Sequence, residues 1–200
     1  MKVIVISGPS GSGKTTLSNI ILGKIKNGII LNTDNYYKTG IISNLLSKFV
    51  KGYFDRKISF NYKVFQKDFN FIINNGKLKH SYFYDFEKKI IRKYLIERNN
   101  LEVLIIEGIF AKESLGDFNP SNCFFIEMKI SKDNCMNRAI RRDINERGKN
   151  KEEAEINFLN SWKYYYEKNK NSRNKIRNEF TYSKKKDLKI VLKKILNLKN

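Results

Sequence analysis

The chain has 200 residues and a mass of 23.6 kDa, room for one domain with a sizeable core and small insertions. Its 40 Lys and Arg against 20 Asp and Glu leave a formal net charge of +20, a field that draws in phosphorylated ligands; because lysine is spread along the chain beside heavy use of Asn and Ile, it reads as compositional bias and not as a nucleic-acid-binding face. No apolar run approaches the roughly 20 residues of a membrane span, a signal-peptide core is missing, and Cys123 and Cys135 have neither metal-knuckle nor redox-pair spacing, so a soluble cytoplasmic protein with reduced thiols is expected.

The apolar run Val3-Ile4-Val5-Ile6 predicts a buried strand that feeds Gly8-Pro9-Ser10-Gly11-Ser12-Gly13-Lys14-Thr15, a full match to G-x-x-x-x-G-K-[ST]. From Thr16 to Lys26 the apolar spacing is helical, so the loop opens a helix N-terminus. Glycines at 8, 11 and 13 let the backbone around Ser10, Ser12 and Thr16 wrap a polyphosphate with its N–H groups inward. Lys14 reaches the β and γ phosphates in this reading, and the Thr15 hydroxyl joins a magnesium shell.

Gly28 to Asn32 predicts a second short strand, ending at Thr33-Asp34. Strand, phosphate loop, helix, strand is the opening of a parallel α/β sheet with right-handed crossovers, in which function gathers at the carboxyl ends of the strands. Residues 36 to 60 lack regular periodicity but carry six aromatic rings, and a long aromatic connection in a compact domain usually builds a site. A helix is predicted over Tyr62–Asn74, a hairpin or extended arm over Lys77–Phe86, and a basic helix over Glu87–Arg98. Val103-Leu104-Ile105-Ile106 is a buried strand running into Glu107-Gly108, and an acid at such a strand end beside a phosphate loop suits a magnesium ligand. After a loop at Asn119-Pro120, a strand over Cys123–Ile130 leads into a helix carrying Arg138, Arg141, Arg142 and Arg147 and ending at Gly148. Helices over Glu152–Lys168 and Leu188–Leu198 follow, separated by Lys184-Lys185-Lys186, read as a solvated turn.

These pieces ask for phosphoryl transfer from a nucleoside triphosphate: Lys14, magnesium and the arginines neutralise charge, and Asp34, at a strand end next to the loop, can take a proton from an acceptor hydroxyl. The arginine helix, about residues 138–150, can close as a lid that keeps water out.

The sequence resembles the uridine kinase family of P-loop nucleoside kinases. The likeness rests on GPSGSGKTT at 8–16, NTDNYYK at 32–38, FDRKISFN at 54–61, YDF at 84–86, IIEGIF at 105–110 and RRDINERGK at 141–149. It implies a three-layer α/β sandwich with a mostly parallel central sheet, a substrate-binding arm within about residues 36–98 and the lid, all in one domain over 1–200. It implies an ATP- or GTP-dependent kinase, with Mg2+, that phosphorylates the ribose 5′-hydroxyl of uridine or cytidine in pyrimidine salvage and works as a homo-oligomer. By the same resemblance Asp34 is the base, Tyr37, Phe54 and Asp55 line the ribose pocket, Tyr84 meets the nucleobase, Thr15 and Glu107 hold the metal, and Arg142 and Arg147 touch phosphate or substrate. The sequence departs from the pattern at Lys57, Ser59 and Asn61, where the family has Pro, Ala and Asp. Lys89 stands in place of the histidine that reads the pyrimidine, and Ala139 and Lys149 replace lid arginines. Other acceptors of this enzyme class stay open, namely nicotinamide riboside, pantothenate and phosphoribulokinase-like substrates, as does a non-catalytic nucleotide- or RNA-binding protein.

Overall fold

A computed structural model describes residues 1–116, 123–170, 179–183 and 187–197. The loop expected at Asn119-Pro120, the turn at Lys184–Lys186 and the end of the last helix at Leu198 lie outside the described residues.

Five strands form one parallel sheet: β1 (Lys2–Ser7), β2 (Gly28–Asn32), β5 (Val103–Gly108), β6 (Cys123–Met128) and β7 (Glu179–Tyr182), in the order β2-β5-β1-β6-β7. Two more strands, β3 (Leu78–Asp85) and β4 (Ile90–Arg98), pair antiparallel as a separate hairpin. The helices are α1 (Lys14–Leu22), α2 (Ile41–Phe49), α3 (Tyr62–Asn75), α4 (Lys132–Arg147), α5 (Lys151–Lys170) and α6 (Asp187–Asn197).

Side chains alternate across the sheet, and the alternation makes the layers. Val3, Val5, Leu31, Leu104, Ile106 and Phe125 face Phe65, Phe69 and Ile72 of α3, whereas Ile4, Ile6, Ile105, Phe124 and Ile126 face Leu17 and Ile21 of α1 and Val191 and Ile195 of α6. Both faces are covered, which explains why the strands read as continuous apolar runs. From β1 the chain crosses towards β2, and from β6 it crosses towards β7 in the opposite direction, so the switch point lies at the carboxyl ends of these neighbours. The phosphate loop leaves β1 at that point.

Three stretches depart from the sequence expectation, and the first is β7, an edge strand between the last two helices where the sequence reading has no strand. Residues 87–98 are a turn and a strand, not a helix. A register shift between Leu78 and His80 lets Ile91 and Ile96 both pack on the core although they are five apart, and turns Leu95 outward at 90% exposure. This bulge hides the alternation that marks a strand. Within 36–60 the structure has α2, whose Ile41, Ile42, Leu45 and Phe49 are exposed. Ile41, Ile42, Leu45 and Phe49 have helical spacing, which corrects the expectation that 36–60 lacks periodicity, and what the helix buries is the polar Ser43.

Candidate active site

Lateral register brings the site together. Asn32 on β2 and Ile6 on β1 both lie opposite Glu107 on β5, so the exits of these three strands share one level. Glu107 is buried, 2% exposed, and its Oε1 accepts hydrogen bonds from Thr15 Oγ1 at 2.9 Å and Asn32 Nδ2 at 2.7 Å. Gly108, at φ 139°, follows it; a Cβ there would come within 1.8 Å of Thr33 Oγ1. Only glycine lets the exit of β2 lie against β5 so closely, and that contact brings Asp34 alongside Glu107.

Gly8, Ser10, Gly11, Ser12 and Gly13 form the loop between β1 and α1, and Thr16 stands exposed on the first turn of α1. Lys14 and Thr15 begin the helix, so their N–H groups have no acceptor inside it and are available to an anion. The Ser12 hydroxyl is buried without a hydrogen-bond partner among the described residues. The Lys14 ammonium rests on the carbonyl of Pro9 at 2.9 Å. Burial lowers the pKa of Lys14, against the pull of Glu107 and Asp34. Burial likewise holds the Glu107 carboxyl above its usual range, while Lys14 draws it down.

This donor set suits a magnesium ion carried by a nucleotide. No group of three or more His, Cys, Asp or Glu side chains among the described residues is arranged to hold a metal. One hydroxyl and one carboxylate, Thr15 and Glu107, are present, and magnesium commonly binds through one or two protein oxygens with phosphate and water filling the rest.

Beyond the loop, Asp34 lies on a one-turn helix, Thr33–Tyr36, opened by Asn32, whose Oδ1 accepts from the Asp34 N–H at 2.8 Å. The Tyr37 hydroxyl donates to Asp34 Oδ1 at 3.3 Å. Tyr37 is the hub of an aromatic box, with ring centres 5.2 Å from Phe54, 5.0 Å from Tyr84 and 6.5 Å from Phe86. Burial, then Asp34 and Asp55, hold the Tyr37 phenol well above its ordinary range. The charge of Asp34 also bears on Tyr84 and Arg147, as it does on Lys14 and Glu107. Asp34 therefore stands between the phosphate loop and the aromatic box.

The loop bearing Phe54 and Asp55 is held without the family's proline. Ser59, fully buried, donates to the carbonyl of Arg56 at 2.8 Å, and Asn61 caps α3. Gly52, at φ 65°, seats against Tyr164 of α5, where a Cβ would come 2.3 Å from the ring. Arg56 Nη2 donates to the Tyr164 hydroxyl at 2.6 Å. The neighbouring Tyr165 shares a hydrogen bond of 3.2 Å with Ser7 at the end of β1, so α5 touches both sides of the site.

Asp143 gathers the cations at the end of α4. Its carboxylate binds Arg142 at 2.7 Å, Arg147 at 3.2 Å and Lys149 at 2.8 Å. Arg142 also donates to Ser10 Oγ at 3.2 Å, on the phosphate side, while Arg147 lies over the Phe86 ring, on the aromatic side. Arg141 is exposed. Ala139, where the resemblance leads to an arginine, is buried with Cys135 and Phe158 between α4 and α5.

Lys89 sits in the turn between β3 and β4 at φ 53°, and its ammonium reaches Ser47 of α2 at 3.5 Å. His80 contacts Asp68 at 3.1 Å, and Asp68 accepts from Tyr36 at 3.0 Å, so the one histidine fastens the hairpin to α3. Asn32, Asp143, Phe86 and Tyr164 join the candidate site here. Asn32, Phe86 and Asp143 stand inside motifs quoted from the sequence without a role attached, whereas Tyr164 lies outside them all.

A family model described as Phosphoribulokinase / Uridine kinase family matches residues 3–169. The chain belongs to this family. Among its phosphoribulokinase and uridine kinase relatives it is similar to the uridine kinase of Ureaplasma parvum serovar 3, 31% identical over 150 residues, covering 74% of this chain and 71% of that one. It is similarly related to the uridine kinase of Borrelia hermsii, 31% identical over 170 residues, covering 83% and 79%. In fold it matches D-glycerate 3-kinase from Cryptococcus neoformans, with a TM-score of 0.63 at 14% identity over 91% of this chain and 86% of that one. It also matches deoxyadenosine kinase from M. mycoides, with a TM-score of 0.53 at 17% identity over 98% of each chain. This member of the family is thus an enzyme, a phosphotransferase built on the P-loop kinase fold. No helix among its described residues is long and apolar enough to cross a membrane.

Proposed function

We propose that the enzyme transfers the γ-phosphoryl group of ATP or GTP to the ribose 5′-hydroxyl of a nucleoside, uridine or cytidine. The observation that carries this reading is the place of Asp34, its carboxylate bonded to Tyr37 on the acceptor side and felt by Lys14 and Glu107 on the donor side. A hydrolase needs no such walled pocket opposite its phosphate loop. The relatives named uridine kinase support the choice of acceptor.

In this reading Gly8 to Thr16 hold the triphosphate through backbone N–H groups, and Lys14 leaves the Pro9 carbonyl for the phosphates. Thr15 and Glu107 would hold magnesium, which would supply charge neutralisation at the phosphates. Asp55 accepts hydrogen bonds from the ribose hydroxyls, Phe54 and Tyr37 wall the sugar, and Tyr84 meets the base. Lys89, in the turn beside α2, borders the base end. Asp34 takes the 5′-hydroxyl proton as that oxygen bonds to the γ-phosphorus and the bond to the β,γ-bridging oxygen breaks, releasing ADP or GDP. Arg142 and Arg147 close over the transferring group and exclude water.

An acceptor panel with ATP and Mg2+, followed by ADP release, tests the assignment. Uridine, cytidine, a purine nucleoside, nicotinamide riboside, pantothenate and ribulose 5-phosphate make up the panel. Turnover highest with uridine or cytidine is expected. Turnover only with pantothenate or a sugar phosphate would reassign the acceptor pocket.

A further inference from the structure

We propose that Asn32 is a positioning residue that uses both ends of one amide to set Asp34 against Glu107; this rests on the reading of Asp34 as base and of Thr15 with Glu107 as the metal-holding pair.

Asn32 ends β2 directly across from Glu107 in the sheet register. Its Nδ2 donates to Glu107 Oε1 at 2.7 Å, and its Oδ1 accepts from the Asp34 N–H at 2.8 Å. One planar, rigid group therefore spans the two carboxylate-bearing residues. Asp34 sits on a single turn of 3-10 helix, which has little regular hydrogen bonding of its own to hold it. The amide bond from Asn32 supplies that restraint.

The Glu107 end has a second consequence. Thr15 donates to the same oxygen, Oε1, at 2.9 Å. Two donors on Oε1 restrain the carboxylate, so that its other oxygen is held ready to serve a cation. Thr15, having given its proton to Oε1, keeps its lone pairs for the same cation. Groups that orient metal ligands in this way are commonly worth 10- to 100-fold in metal affinity or activity.

A plain helix-capping role would need only the Oδ1 half. Serine can make the turn bond, more weakly, but is too short to keep the bond to Glu107. Aspartate could not donate to Glu107 at all. An amide meets both demands with one side chain.

The test compares wild type with Asn32→Ser and Asn32→Ala, using binding of a fluorescent ATP analogue with and without Mg2+, thermal melting, and steady-state turnover. Asn32→Ser is expected to bind the analogue without Mg2+ within about twofold of wild type and to lose about tenfold of the tightening that Mg2+ brings. Asn32→Ala is expected to show the same metal defect and, at saturating Mg2+, a further fall in kcat of about tenfold, because Asp34 is released as well. Mg2+ tightening within twofold of wild type in Asn32→Ser would overturn the proposal. So would a low melting temperature with binding lost equally in both conditions, which would make Asn32 a structural cap. Should the wild type phosphorylate no nucleoside, the acceptor assignment falls, while the analogue-binding comparison still decides on Asn32.

Discussion

The guanidinium of Arg147 lies 3.5 Å from the centre of the Phe86 ring, so the end of α4 is stacked on the hairpin that carries Tyr84. A planar cation on a ring is geometry that lysine does not reproduce. Arg147→Lys is expected to raise the KM for the nucleoside roughly tenfold and lower kcat, with the KM for ATP within about threefold of wild type. Steady-state kinetics with each substrate varied in turn checks this. A change confined to the KM for ATP would place Arg147 on the donor side.

Asp34→Asn removes the proposed proton acceptor and keeps the shape. Turnover is expected to fall by roughly 10²–10⁴, with ATP binding changed less than about threefold, since the group acts on the acceptor. Calorimetric titration of ATP alongside single-turnover rates separates the two effects. An equal loss of ATP affinity would make Asp34 part of the donor site.

Asp143 gives a pH-dependent stability prediction. Burial raises its carboxyl pKa, but Arg142, Arg147 and hydrogen bonds from Lys149 and Arg142 more than reverse this and leave it below its ordinary 3.8. A depressed native pKa contributes stability above the ordinary value, and that contribution is lost as pH falls through the depressed one. Asp143→Asn is therefore expected to cost about 2 kcal/mol at pH 7, a deficit that shrinks below about pH 4 as the wild type loses its own ion pairs. Urea unfolding of both proteins at pH 7 and pH 3 measures the gap. An unchanged gap would contradict the pairing.

The clasp between Tyr164 and the acceptor loop predicts a selective defect. Tyr164→Phe loses the Arg56 hydrogen bond, and Gly52→Ala drives a methyl group into the ring at a positive φ. Both are expected to raise the KM for the nucleoside, by roughly threefold and more than tenfold respectively, with the KM for ATP nearly unchanged. Acceptor kinetics that match wild type in both would remove α5 from the site.

Sequence and structure agree most closely where chemistry is local. The phosphate loop, its strand and its helix lie within 21 contiguous residues, and the Glu107-Gly108 pair ends a strand whose burial is written in four apolar residues. In the hairpin, β4 reads as a helix because a bulge breaks its alternation, and α2 has a helical apolar spacing, at 41, 42, 45 and 49, that an irregular 36–60 stretch does not account for. Tyr164 and Asp143 act through groups that folding brings to them. Tyr164 meets Arg56 across 108 positions, and nothing near Tyr164 in sequence foretells it. Asp143 lies inside the arginine run, where its role as the shared counter-ion shows only once three cations are seen to converge on it.

The most direct measurement follows the terminal phosphate itself. Incubated with γ-labelled ATP, Mg2+ and uridine, the enzyme is predicted to place the label on the 5′ oxygen, giving labelled UMP, and to leave 5′-deoxyuridine unlabelled. Label released only as inorganic phosphate, at a rate indifferent to uridine or cytidine, would contradict transfer to a nucleoside.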